Sequence, residues 1–292
     1  MGTTADKIAR KAAFQLKSKI IDHSGIRAGQ QVFQPARVDA DGLKELLSKG
    51  HDPCHALYIF GQNFASVLAE RLSQMKETRQ FVKVVGGAED EYMPSGPPWS
   101  PLTPSYFTMW ALFDVLFGQS QETVGTCILR IGPLIEMPAW LLDVIGLMQR
   151  SAMGVYVHCG SEGRFVRLRA LGSQEVKLCL SPAGYVGRAG ELWFVRVLPP
   201  ASALFDYHVV FNTPYVLVGV TEDMFGDYLG REIGRLGSRT LPAKLEASAY
   251  LMKHGPTPNH WNQYVFYAYT GHQHDAVFLT GIPDIKESLP HA

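Results

Sequence analysis

Lysine and arginine are missing from the whole stretch between Lys83 and Arg130, and the chain as a whole carries no excess of either charge. Lys+Arg and Asp+Glu balance at 27 each, so no global field draws the protein to nucleic acid or to an anionic membrane, and no nucleic-acid partner is expected. Cysteine is scarce as well. Cys54, Cys127, Cys159 and Cys179 are widely spaced and include no Cys-x-x-Cys pair, so they read as reduced thiols rather than a disulfide framework. No long apolar run is present: residues 127–148, the most apolar stretch, are interrupted by Arg130, Pro133, Glu136, Pro138 and Asp143, where a membrane span needs ~20 predominantly apolar residues. The N-terminus lacks the apolar core of a secretory signal, and Asp6 stands where N-myristoylation requires Ser or Thr. These absences predict a soluble, cytoplasmic protein without a membrane partner.

What is present is material for a core. Hydrophobic residues make up 46% and charged residues 18% of 292, which is ample for one large domain and too little charge for disorder. The two charge biases are local. Lys7, Arg10, Lys11, Lys17, Lys19 and Arg27 outnumber Asp6 and Asp22 near the start, while Glu89, Asp90, Glu91, Asp114 and Glu122 occupy the segment without cations. Opposite-sign faces of one molecule or of two can meet in this way, although two solvated surfaces give the same pattern.

The first eighty residues read as helical. Ile8, Ala12, Leu16 and Ile20 recur every fourth residue; Asp39 is a candidate N-cap for residues 40–49, which Gly50 closes; and Leu57, Phe60, Phe64, Val67, Leu68, Leu72 and Met75 mark one face of a helix beginning near Pro53. From Phe81 the period shifts toward two. Residues 81–85, 106–117 and 123–131 are read as strands, residues 139–150 as a helix begun by Pro138, and Met153–Cys159 and Arg164–Leu171 as a hairpin around Gly160–Gly163. In that hairpin Val166, Leu168 and Ala170 share one face and Arg167 and Arg169 the other. Residues 174–180 follow, with Val176, Leu178 and Leu180 inward, then two strands apolar on both faces, 191–198 and 208–220. Helices return at 222–236, 241–254 and 257–269, before a last strand at 276–280. The expected architecture is α+β: an N-terminal helical region, residues 1–80, and an α+β body, residues 81–292, built on a central, mostly antiparallel sheet from about 81 to 220 with C-terminal helices packed on one face.

Two segments carry the functional expectations. Pro94, Pro97, Pro98, Pro101 and Pro104 fall within eleven residues, and 98–101 and 101–104 each fit Pro-x-x-Pro. Proline fixes an extended backbone and removes donors, so a segment holding Tyr92, Pro98, Trp99, Pro101 and Tyr106 is a candidate protein-docking loop; aromatics beside prolines also anchor a loop to its own core. Histidine concentrates at the other end. His272 and His274 have the spacing that, on a strand, points two imidazoles to one side, and with His260 and Asp275 they make a candidate ligand set for a divalent metal. Fuller metallohydrolase patterns are absent, because Ala276 and Val277 occupy the positions of the next Asp and His.

Weaker signals stand beside these. Glu175-Val176-Lys177 is half of a metal-dependent nuclease core, with Glu162 the only nearby second acid; alternating charges on an exposed strand explain it equally. Gly184, Gly187 and Gly190 with Arg188 suggest an anion-binding loop or a flexible connection, and no P-loop or dinucleotide fingerprint follows. Gly226, Gly230 and Gly234 in a helix predict close approach of another backbone, flanked by the basic stripe Arg231, Arg235 and Arg239. There is no Gly-x-Ser-x-Gly elbow, and adjacent His158 and Cys159 would point to opposite sides of a strand. The leading expectation is a non-catalytic binding or assembly protein, and the second is a metal-dependent hydrolase using the C-terminal histidines.

Overall fold

A computed structural model describes residues 3–18, 41–93, 100–237 and 240–292. The chain is α+β and falls into two compact units, one of residues 1–86 with 108–150 and one of residues 87–107 with 151–292. Among the described residues no helix is long and apolar enough to cross a membrane.

The first unit is helical. It contains α1 (Thr4–Ser18), α2 (Asp41–Ser48), α3 (Pro53–Ser73), the first part of α4 (Arg79–Tyr92), most of α5 (Pro104–Phe113), α6 (Val124–Ile131) and α7 (Ala139–Arg150). Capping chemistry sets several starts. The Asp52 carboxylate accepts from the Cys54 and His55 amides with Pro53 at the first position of α3, and the Thr123 hydroxyl accepts from the Thr126 amide ahead of α6. α1 buries Ala5, Ile8, Ala9 and Ala12 and packs on α6, where Asp6 meets Arg130 at 2.9 Å. α3 packs on α7, where the expected Phe60 ring lies 5.7 Å from Trp140, and the expected Leu68 and Leu72 are buried. Gly61 faces Val144 so closely that a Cβ there would lie 2.8 Å from Cγ1, whereas Val67 is 51% exposed. Asp39, the expected N-cap of α2, lies outside the described residues.

Three expected strands are helices. Residues 81–85 belong to α4, which runs on through Gly86 and Gly87 because Phe81, Ala88 and Tyr92 bury one face at helical spacing. Residues 106–113 form most of α5, whose apolar residues are buried so evenly that no period survives in the sequence. Residues 124–131 form α6, where the Thr123 cap outweighs the β-branched composition. The sheet therefore does not begin at residue 81 but at Met153, and it extends beyond 220 to Thr280.

The second unit holds β1 (Met153–Glu162), β2 (Phe165–Ala170), β3 (Val176–Leu180), β4 (Leu192–Leu198), β5 (His208–Val210), β6 (Tyr215–Val218), α8 (Glu222–Arg235), α9 (Leu241–His254), α10 (His260–Ala268), β7 (Tyr269–Gln273) and β8 (Ala276–Thr280). The strand order is β1-β2-β3-β5-β4-β6-β8-β7, and β1 also pairs with β4, so the first five strands close into a barrel from which β6, β8 and β7 extend. Among the described residues only the β3–β5 and β6–β8 pairs are parallel. The interior packs Val166, Leu168, Cys179, Trp193, Val195 and Val210. On the opposite face of β4, the Phe194 ring lies 5.1 Å from Trp261 and 6.1 Å from Tyr264 of α10, which is why β4 reads as apolar on both sides. Val166 and Leu168 point inward as expected, but Val176 and Leu178 do not: they are 49% and 36% exposed, and Cys179 between Leu178 and Leu180 takes the interior place.

The glycine-rich connection from β3 to β4 has a backbone explanation. Gly184, Gly187 and Gly190 all hold positive φ, and a Cβ on Gly187 would lie 2.4 Å from the Trp193 ring. Glu191 ties the loop down by accepting from Trp193 Nε1 at 3.0 Å and the Tyr185 hydroxyl at 3.1 Å. The glycine stripe of α8 behaves differently from expectation, since nothing lies within 4 Å of a Cβ built on Gly226, Gly230 or Gly234. Its basic flank is engaged: Arg231 grips Asp284 through two 2.8 Å bonds and Arg235 pairs with Glu232, while Arg239 lies outside the described residues.

Candidate functional site

The proline-rich segment is anchored within its own unit. Tyr92 and Tyr106 are buried, as are Ser100, Pro101 and Leu102. The Ser100 hydroxyl donates to the Tyr92 carbonyl; the Tyr215 hydroxyl donates to the Pro101 carbonyl at 3.1 Å and accepts from the Thr103 amide at 3.2 Å. Tyr106 stacks edge-on against Tyr215 at 5.5 Å, and Tyr92 against Phe266 at 5.5 Å. Burial pushes the Tyr215 phenol up to about 12, so it serves as a neutral hydrogen-bonding strut. Tyr92, Pro101 and Tyr106 are thus internal anchors rather than a surface that a partner touches. Pro98 and Trp99 lie outside the described residues.

The C-terminal histidines are not brought together. His260 sits at the start of α10, its Nε2 2.7 Å from the Tyr228 hydroxyl, and burial lowers its pKa to about 4, keeping the imidazole neutral. His272 lies on β7 with its Nδ1 3.0 Å from the Tyr269 hydroxyl. His274 and Asp275 occupy the turn to β8 at φ 46° and 59°, the left-handed pair that a two-residue hairpin demands, so the two imidazoles do not share a strand. Among the described residues no group of three or more His, Cys, Asp or Glu is arranged to hold a metal ion. Glu175 and Lys177 pair with each other at 3.1 Å, and Glu162 pairs with Arg167 at 2.9 Å. Burial raises the thiols of Cys127 and Cys179 to about 12, which removes them as nucleophiles at neutral pH.

The face that stands out was not singled out in the sequence. It is the outward side of β2 and β3 with the connection from β4 to β5, residues 199–207. The alternation that sends Val166 and Leu168 into the barrel turns Phe165, Arg167 and Arg169 outward, opposite Leu180, Leu178 and Val176 of β3. Beside them the Tyr207 ring packs 5.2 Å from Phe165 and 5.8 Å from Phe205, and Arg164 sits 5.3 Å above the Phe165 ring. Leu204, next to Phe205, is 90% exposed. Two cations of this face have acids of their own: Arg167 has Glu162, and Arg169 is held by both oxygens of Glu222 at 2.9 and 3.1 Å. The surface is therefore apolar and aromatic, with two matched ion pairs and Arg164 at its rim. The signal available in the sequence was Leu204-Phe205 and Tyr207 in a short connection after Pro199-Pro200, where turn residues alone would suffice. Comparison with protein families, with curated proteins and with solved structures finds no match for the chain.

Proposed function

We propose that this chain is a cytosolic, non-catalytic binding or assembly protein whose contact face is the flank of the barrel formed by β2, β3 and residues 199–207. The observation that carries the reading is the exposure of Leu204, Val176 and Leu178, 90%, 49% and 36%, beside the half-buried cluster of Phe165, Phe205 and Tyr207. Apolar and aromatic groups ringed by matched charges are what the centre and rim of a protein interface require. The four free thiols fit a reducing compartment. A metal-dependent hydrolase draws no support from His260, His272, His274 and Asp275 as they are placed.

The test is recovery of partners from extract of the source cells by wild-type protein and by Leu204→Asp. Leu204 contacts solvent, so the variant keeps the circular dichroism of the wild type. Losing a buried leucine at an interface costs about 1.5–3 kcal/mol, about a tenfold or greater drop in affinity. Equal recovery by both proteins, or no species beyond a bait-free control, contradicts the proposal.

A further inference from the structure

The edge of β3 has a feature that the apolar face alone does not explain. All pairings of Val176, Lys177 and Leu178 are to β2, and β5 takes only Cys179 and Leu180. The Ser181 amide donates to the Arg164 carbonyl at 3.2 Å, so in the alternating antiparallel ladder the hydrogen-bonded pairs of β2 and β3 fall at Val166 with Cys179 and at Leu168 with Lys177. The N–H and C=O groups of Val176 and the N–H of Leu178 consequently point away from β2 toward the open edge, while the Leu178 carbonyl faces the His208 amide in the parallel pair with β5. These residues are also exposed, so the edge offers polar backbone and apolar side chains together.

Resting on the binding face proposed above, we infer that β3 pairs antiparallel with β3 of a second copy of this chain across a two-fold axis through Val176. Charge selects this register among those whose hydrogen-bond phase fits. With the axis at Val176, the outward-turned groups of Val176 face those of the partner's Val176, and the Leu178 N–H faces the partner's Gln174, giving about four main-chain hydrogen bonds. Glu175 then lies directly opposite the partner's Lys177, twice by symmetry. Moving the axis to Lys177 keeps the hydrogen-bond phase, with Val176 facing the partner's Leu178, but places lysine directly against lysine. Moving it to Leu178 requires the outer edge of Leu180, which β5 holds through Val209. Glu175 is 69% and Lys177 25% exposed, so both reach such a partner. An anionic polymer is a poorer occupant, because Arg167 and Arg169 already face carboxylates.

Sedimentation velocity of the full chain between ~1 and ~200 µM tests the pairing; a short strand edge with an apolar flank belongs among small interfaces, and a reversible dimer with a dissociation constant in the micromolar range is expected. Lys177→Glu opposes glutamate to glutamate twice and weakens the dimer at least about tenfold. The swapped double variant Glu175→Lys/Lys177→Glu restores it, which also shows that the single variant was folded. A monomer at every concentration overturns the inference, as does a dimer indifferent to Lys177→Glu or a swap that fails to restore it. A monomer leaves the binding face itself standing, because that is judged by the Leu204→Asp recovery.

Discussion

Replacing Tyr215 by phenylalanine keeps the ring and removes one hydroxyl, and the structure sets the size of the effect. The ring still packs edge-on with Tyr106 and beside Phe194, so no cavity opens beyond one oxygen atom. Two buried main-chain groups lose their partner together: the Thr103 amide and the Pro101 carbonyl. A buried polar group left unpaired costs about 1–3 kcal/mol, so Tyr215→Phe should destabilise the protein by about 2–4 kcal/mol. Tyr264→Phe provides the scale, because the Tyr264 hydroxyl serves only the Gly281 carbonyl, and its loss should cost about half as much. Urea titration followed by circular dichroism and tryptophan fluorescence measures both. If Tyr215→Phe shifts stability by less than about 0.5 kcal/mol, the range of an ordinary surface substitution, the anchoring of the proline-rich segment is wrong.

The buried imidazole of His260, depressed to about 4 from an ordinary 6.5, gives a pH dependence with a definite sign. Between pH 6.5 and 4 the unfolded chain binds a proton at this residue that the folded chain refuses, so its contribution to stability is intact above 6.5 and is lost as pH falls toward 4, with a slope of up to about 1.4 kcal/mol per pH unit. His260→Gln should remove that slope relative to wild type, and parallel curves would count against it. Gly187→Ala forces a side chain into a left-handed backbone and toward the Trp193 ring at 2.4 Å; a loss of about 2–4 kcal/mol in thermal or urea unfolding is expected, and a neutral result would mean the loop can move aside.

The strands from Met153 to Leu198 were legible because period two and turn glycines coincide there, and α7 to α9 because cap residues bracket them. Residues 81–131 misled for an identifiable reason. α4 carries β-branched residues and Gly86-Gly87, and α5 is apolar on every side, so composition and period both pointed away from helix. The closure of β1 onto β4 is a long-range pairing that no local pattern announces. Val176 and Leu178 read as interior because apolar residues usually are, yet Cys179 holds that side. The histidines shared a segment without sharing a face, since the left-handed turn at His274 and Asp275 breaks the strand between them.

Hydrogen–deuterium exchange at the amides of Val176 and Leu178, followed as protein concentration is raised from ~1 to ~200 µM, addresses the binding face and its self-pairing at once. Strand pairing predicts that these two amides become protected with concentration, while the already bonded Lys177 and Cys179 amides do not change. Rapid exchange of Val176 and Leu178 at every concentration would contradict it.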